Sequence, residues 1–303
     1  MKNIFVTGIS GMLGSNIAHI LRDRYNVFGV DLSAIEMDRV CSYQGSIFDV
    51  DVIKECLIRN NIEVFIHCAA LVNVDECEEC PDYAHDLNYA ITKKLADMCA
   101  ALNVKFVFIS TDAVFDGRKM DYLYTEEDPT APISVYGKTK AQAEESVLVH
   151  DGNLVIRTNI YGYNYQEKNS FGEWVISALQ SGEQLNMFYD IFFSPILVNE
   201  LTEVLDVMLQ RDVSGLYHVC STGSICKYDM GCLFKKYFGG TGTITKGSMK
   251  DHQFKGPRTQ NMGLDNTKIR ELLGIHISTP EESVKRFKQL YDEKYGYQLK
   301  SGK

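Results

Sequence analysis

The chain of 303 residues predicts an α/β fold: a doubly wound parallel sheet followed by a smaller C-terminal α/β region. Three observations predict it. Short apolar runs alternate with amphipathic helical stretches through the first half. The runs are continuously apolar, as strands covered on both faces require. A glycine-rich turn joins the first run to the first helical stretch.

The elements follow in order. Ile4-Phe5-Val6 is a strand, and Ile17, Ile20 and Leu21 recur at helical spacing after it. Asn26–Val30 is a second strand, and Val52, Ile53, Cys56 and Leu57 mark a helix face. Val64-Phe65-Ile66 is a strand, followed by a helix through Leu87, Ile91, Leu95, Met98 and Cys99. Lys105–Ile109 is a strand, Tyr136–Val149 a helix and Leu154-Val155-Ile156 a strand. Beyond about Gly162 strands are short, and helices are expected near Phe171–Leu179, Glu200–Leu209, Tyr228–Phe238 and Glu281–Tyr291. The last residues, Leu299 to Lys303, are expected to fray.

Composition narrows the function. The chain is 45% hydrophobic and 23% charged, values of an ordinary folded enzyme and not of a disordered or fibrous chain. A net charge of −9 with no basic cluster argues against nucleic acid as a partner. No apolar run approaches the roughly 20 residues that cross a bilayer. The first residues, Met1 to Gly8, read as a strand and not as a signal peptide. Nine cysteines, mostly inside apolar patterns, suit a reducing, cytoplasmic compartment. Cys77 and Cys80 form a CxxC with no second pair or close histidine, so they read as incidental rather than as a metal or redox site.

Gly8-Ile9-Ser10-Gly11-Met12-Leu13-Gly14 is a GxxGxxG between a strand and a helix. Such a turn permits a tight bend, lets backbone approach a pyrophosphate and aims a helix N-terminus at phosphate charge. Asp31 stands at the end of the next strand, 23 residues after Gly8, where a carboxylate can accept hydrogen bonds from ribose hydroxyls. Its charge would repel a 2′-phosphate, so NAD(H) is expected to be preferred, with NADP(H) as the alternative. Residues 1–162 are the expected dinucleotide-binding unit, and 163–303 mainly a substrate-binding region with later segments returning to the first.

Tyr136 and Lys140 are four apart, on one face of a helix. Thr111 lies 25 residues before Tyr136, just past a strand end. In a parallel sheet such ends face the cofactor cleft. Carbonyl reduction needs a proton donor opposite the hydride. A tyrosine pKa of about 10 must fall by about 3, or ~4 kcal/mol, to shuttle a proton at neutral pH. A cation about 4 Å away at an effective dielectric of 20 supplies about 4 kcal/mol. Lys140 is thus expected to poise Tyr136 directly, with Thr111 holding the substrate oxygen. The bland alternative is a surface YxxxK pair.

The glycine turn, Ser110–Gly117 (STDAVFDG) and Tyr136-Gly137-Lys138-Thr139-Lys140 together resemble the extended short-chain dehydrogenase/reductases that act on nucleotide sugars, within them the dTDP-4-dehydrorhamnose reductases. His67-Cys68-Ala69-Ala70, Val74–Glu78, Asn88, Phe193-Ser194-Pro195 and Leu264–Lys268 extend the resemblance over almost the whole chain. It implies a Rossmann-type fold and reduction of a nucleotide-linked 4-keto-6-deoxysugar in cell-surface polysaccharide biosynthesis. It also implies cofactor contacts from Gly8, Ser10, Gly11, Met12, Leu13, Gly14, Asp31, Ser46, Ile47, Ala69, Ala70, Tyr136 and Lys140. Substrate contacts are implied for Val74, Thr111, Asn159 and Arg258. An epimerase or a non-catalytic regulatory subunit of the same fold is the alternative. A homodimer could pair through the helices over 87–102 and 136–149, whose apolar faces otherwise pack on the sheet.

Four positions depart from the subgroup. Ala113 stands where a Tyr is usual, and Asn159 where a Trp usually follows Arg157-Thr158. Ser46 stands where many members carry Asp, and Pro257-Arg258 inverts the late Arg-Pro. The two lost aromatics belong to the sugar site, so a reshaped sugar pocket is expected. Arg258 is expected on the diphosphate or sugar, the alternative being a surface arginine in a mobile loop.

Overall fold

Strand β1 (Lys2–Thr7) enters helix α1 (Met12–Leu21) through the glycine turn, and strands β2 (Tyr25–Asp31) and β3 (Val40–Gln44) follow. The computed structural model describes residues 1–302. Next come α2 (Val50–Arg59), β4 (Val64–His67), α3 (Val74–Glu79), α4 (Pro81–His85) and α5 (Ile91–Ala101). A π-helical turn, Asp86–Ala90, joins the last two. β5 (Lys105–Thr111), α6 (Val135–Leu148) and β6 (Leu154–Thr158) complete the first half. Then follow β7 (Ile160–Tyr161), α7 (Phe171–Ser181), β8 (Gln184–Phe188), β9 (Phe192–Phe193), β10 (Ile196–Leu197) and α8 (Val198–Gln210). The chain closes with β11 (Gly215–His218), β12 (Ile225–Cys226), α9 (Lys227–Phe238), β13 (Thr243–Gly247), β14 (Asn261–Met262), α10 (Thr267–Leu273), α11 (Pro280–Asp292) and α12 (Tyr295–Lys300).

The central sheet has the order β11-β6-β5-β4-β1-β2-β3, with every pairing parallel. The doubly wound expectation therefore holds. Side-chain alternation splits the core in two. Ile4, Val6, Ile66, Val107 and Ile156 face one layer, packed with α1 and α8. Phe5, Phe65, Phe106 and Val155 face the other, beneath α2, α5 and α6. Phe5, Phe65 and Phe106 stack across three strands at centroid spacings of 5.3 and 5.2 Å. Strand order reverses between β1 and β4, which opens a crevice at their C-terminal ends.

Three features differ from the sequence reading. β3 is an additional edge strand, half-buried or exposed, in which Val40, Cys41 and Tyr43 are interrupted by Ser42 and Gln44, so no continuous apolar run marks it. β11 returns from the second half to form the opposite edge of the sheet. The tail does not fray through Gly302. Leu299 is fully buried, Tyr295 Oη donates to Asn16 Oδ1 at 2.8 Å, and Arg22 Nη1 donates to the Gly302 carbonyl at 2.9 Å. The polar tail looked loose because its anchors lie in α1 and just after it, nearly a whole chain away. Lys303, the end of that expected fray, lies outside the described residues.

Leu299→Ala should therefore destabilise the protein by about 2–5 kcal/mol, as burial of a leucine in a packed core implies. Urea unfolding checks this, and an unchanged midpoint would mean that the tail is not docked.

Candidate active site

The cofactor end is built by backbone. Gly8 has a φ of +67°, and a Cβ there would stand 2.9 Å from the Ala69 nitrogen, so the turn after β1 lies directly against the loop after β4. A side chain at Gly14 would collide with the Gly8 carbonyl. α1 has Gly11 as its N-cap, hence no side-chain cap, and no acidic residue in its first turn, which leaves its amides to an incoming anion. This cradle fits a dinucleotide pyrophosphate. Asp31 reaches it from β2: its Oδ2 accepts from the Ser10 amide at 2.9 Å and hydroxyl at 2.7 Å. Gln166 Nε2 donates to the same Ser10 hydroxyl at 2.8 Å, so the segment after β7 also comes to the turn.

Other expected cofactor residues are placed less simply. Met12 is half-buried, and Leu13 packs in the core. Ala69 and Ala70 are half-buried on the loop after β4. Ile47 is buried in the core layer beneath α2, so its side chain does not face the crevice. Ser46 folds back locally: its hydroxyl accepts from the Phe48 amide at 3.2 Å and its amide donates to Asp49 at 3.3 Å. The short turn into α2 needs those donors satisfied, which the sequence pattern could not reveal.

Thr111 ends β5, and Tyr136 lies in the first turn of α6, whose cap Ser134 accepts from the Gly137 amide at 3.1 Å. Any side chain at Gly137 would strike the Ala113 carbonyl, so that glycine lets α6 press onto the turn after β5. The Thr111 hydroxyl accepts from the Ala113 amide and donates to Asp112, each at 3.1 Å, and lies beside the Tyr136 phenol. Burial pushes the Tyr136 phenol well above its ordinary pKa, moderated by Thr111, so it stays protonated at neutral pH.

Lys140 does not poise Tyr136 directly. Its ammonium donates to the Ile109 carbonyl at 2.7 Å and sits 3.9 Å from the Phe108 ring centroid. Helical spacing puts both residues on one face, but the tip of the long lysine follows the nearest acceptor. Burial lowers its pKa to about 7 despite the favourable charge of Glu144 one turn on.

Several of the expected substrate residues gather near Asp112. Asn159 Nδ2 donates to Asp112 Oδ2 at 2.6 Å, and burial raises the Asp112 carboxyl to about 6. Half-buried Ala113 adjoins it. Val74 opens α3 against Gly256, and Arg258 pairs with Asp75 at 2.8 Å, with 23% of its side chain exposed. Arg258 is thus anchored rather than free on a loop. Asn88, set in the π-helical turn, accepts from the Leu71 amide at 2.8 Å and donates to its carbonyl at 3.0 Å, holding the loop before α3. Cys77 is buried and Cys80 exposed, both free, and no metal-ligand cluster occurs among the described residues.

Two contributors escaped the sequence reading. Gly137 is legible afterwards as the glycine inside the YGxxK stretch. Lys227 is not: it opens α9, far along the chain, yet its charge reaches Asp112.

The chain matches the family described as RmlD substrate binding domain over residues 1–292. It belongs to that family. A probable low-salt glycan biosynthesis reductase, Agl14, from Haloferax volcanii is 30% identical over 92% of this chain and 95% of that protein. Methionine adenosyltransferase 2 subunit beta from Rattus norvegicus is 27% identical over 92% and 84%. The structure of a dTDP-4-dehydrorhamnose reductase from Bacillus anthracis in complex with NADP is similar at a TM-score of 0.85 and 25% identity, over 95% of this chain and 99% of that one.

Lys140 should titrate near pH 7, charged below and neutral above. NMR of ¹³Cε-labelled lysine, with Lys140→Arg to assign the resonance, checks this. Titration at an ordinary lysine pH would show that the ammonium is well hydrated.

Proposed function

We propose that the chain is an NAD(P)H-dependent reductase of a nucleotide-linked 4-keto-6-deoxysugar, acting in cell-surface polysaccharide biosynthesis. The observation that carries this reading is the juxtaposition of the Thr111 hydroxyl and the protonated Tyr136 phenol at the β5 end of the crevice. The names of its relatives, a glycan biosynthesis reductase and a dTDP-4-dehydrorhamnose reductase bound to NADP, support it.

The cofactor would be held by Gly8, Ser10, Gly11 and Gly14 at the pyrophosphate and by Asp31 at the ribose, and when bound it supplies the hydride. Thr111 positions the substrate carbonyl. Tyr136 donates its phenolic proton to the carbonyl oxygen as the carbon is reduced, which completes the alcohol. Burial keeps the phenol loaded with its proton but makes it a weaker acid, so its proton moves only as negative charge develops on the carbonyl oxygen. Lys140, fixed to the Ile109 carbonyl one helical turn from Tyr136, would contribute through its charge rather than by contact with the phenol. Ala113 and Asn159 stand where the subgroup has aromatic side chains, so dTDP-4-dehydrorhamnose itself is expected to be a poor substrate.

A second reading follows from the similarity to the adenosyltransferase beta subunit: a regulatory chain without turnover. Oxidation of NADH against dTDP-, UDP-, GDP- and CDP-4-ketosugars separates the two, and no turnover with any of them would favour regulation. Tyr136→Phe should cut turnover by about 10²–10⁴ while leaving NADH binding near normal. Wild-type turnover in that variant would remove Tyr136 from the chemistry.

Asp31 should make NADH bind more tightly than NADPH, and Asp31→Ala should narrow the gap. Fluorescence titration with both cofactors checks this. Tighter NADPH binding to the unaltered protein would overturn the role given to Asp31.

A further inference from the structure

Lys227 is an unpartnered cation whose charge is felt at Asp112. Its ammonium makes no hydrogen bond or ion pair among the described residues. It lies 5.8 Å from the Phe171 ring centroid and 5.9 Å from that of Phe193, with its charge largely withdrawn from water. Its backbone is fixed: the amide donates to the Ile191 carbonyl at 3.1 Å, and β12 just before it pairs with β9. β14 pairs with the other side of β9 and brings in the loop that carries Arg258.

Lys227 interacts with the charge of Asp112, beside the catalytic Thr111, and with that of Arg258. It pairs with neither. Arg258 is already committed to Asp75 and to the Gly256 carbonyl. Beyond Arg258 opens a cavity of about 250 Å³ that Arg118, Lys250 and Gln260 also line. Asp112, Lys227, Arg258 and this cavity, which Asp116 and Gly117 also line, are thus neighbours of the reducing centre. A nucleotide sugar has the linear order of sugar, diphosphate and nucleoside.

We infer that Lys227 binds the diphosphate of the substrate, with the sugar on its Asp112 side and the nucleoside on its Arg258 side. This rests on the nucleotide-sugar reading above. A half-buried, partly desolvated ammonium with no partner is poorly satisfied, and a phosphate oxygen satisfies it as a point charge. The two phenylalanine rings exclude water from the contact and so strengthen it. The residue's place at the start of α9 explains why sequence spacing to the catalytic set does not reveal it.

Calorimetric titration of the NADH-loaded protein with dTDP, UDP, the matching monophosphates, UDP-glucose and UDP-glucuronate tests the inference. Lys227→Met should weaken binding of the nucleoside diphosphates about 10- to 100-fold, the worth of a hydrogen bond to a charged group. Monophosphate binding should change little, Lys227→Arg should retain most of the affinity, NADH affinity should stay as in the wild type, and the Tm of Lys227→Met should equal or exceed it. Undiminished diphosphate binding by Lys227→Met overturns the inference. So does a loss confined to UDP-glucuronate, which would put the anion on the sugar. A wild type that binds no nucleoside diphosphate overturns this inference and the proposed function together. Binding that depends on Lys227 without reduction of any ketosugar leaves the inference standing and removes the reductase reading alone.

Discussion

The geometry of the candidate site depends on one buried ion pair. Arg157 of β6 donates to both oxygens of Glu144 of α6, with Nη2 at 2.7 Å, and each side chain is only 4% exposed. Ser110 of β5 donates to the same carboxylate at 2.5 Å. Each partner sits close to a site residue: Ser110 precedes Thr111, Glu144 follows Lys140 by one turn, and Arg157 lies two before Asn159. The pair therefore locks three elements that would otherwise be free to slide on an apolar interface. Charges so withdrawn from water contribute little net stability as a pair, but losing one partner leaves the other uncompensated at a cost of about 3–5 kcal/mol. That asymmetry makes the arrangement all-or-none, as a site with short contacts requires.

Desolvation sets the protonation states on top of this frame. His67, bonded to Thr7 at 2.7 Å and Thr92 at 3.0 Å, is held neutral by burial, with its pKa lowered to about 3, and so links β1 to β4 without adding charge beneath the crevice. Burial keeps Tyr136 protonated, brings Lys140 down towards neutrality and lifts Asp112. The groups nearest the carbonyl position thus lie far from their solution behaviour, whereas the cofactor cradle works through fixed backbone dipoles. The site divides into a donor end tuned by burial and an anion end tuned by helix geometry.

The parallel sheet, the glycine turn and the spacing of Tyr136 and Lys140 on one helix were legible in the sequence because each is local. A strand covered on both faces must be apolar throughout, a helix repeats every few residues, and a tight turn against a second loop needs glycine. Asp31 was legible for the same reason, being one strand away from the turn it serves. Edge strands β3 and β11, the docking of α12 on α1 and the anchoring of Arg258 by Asp75 leave no such trace. Their partners are distant in the chain, and polar or short segments carry no periodicity. The direction of the Lys140 ammonium was likewise open, because side-chain spacing fixes where a long chain starts and only the surrounding acceptors fix where it ends. Sequence alone determined which chemistry this protein has the parts for. Tertiary structure decided which cations remain free to meet a ligand, since an ion pair depends on distance in space and not on separation along the chain.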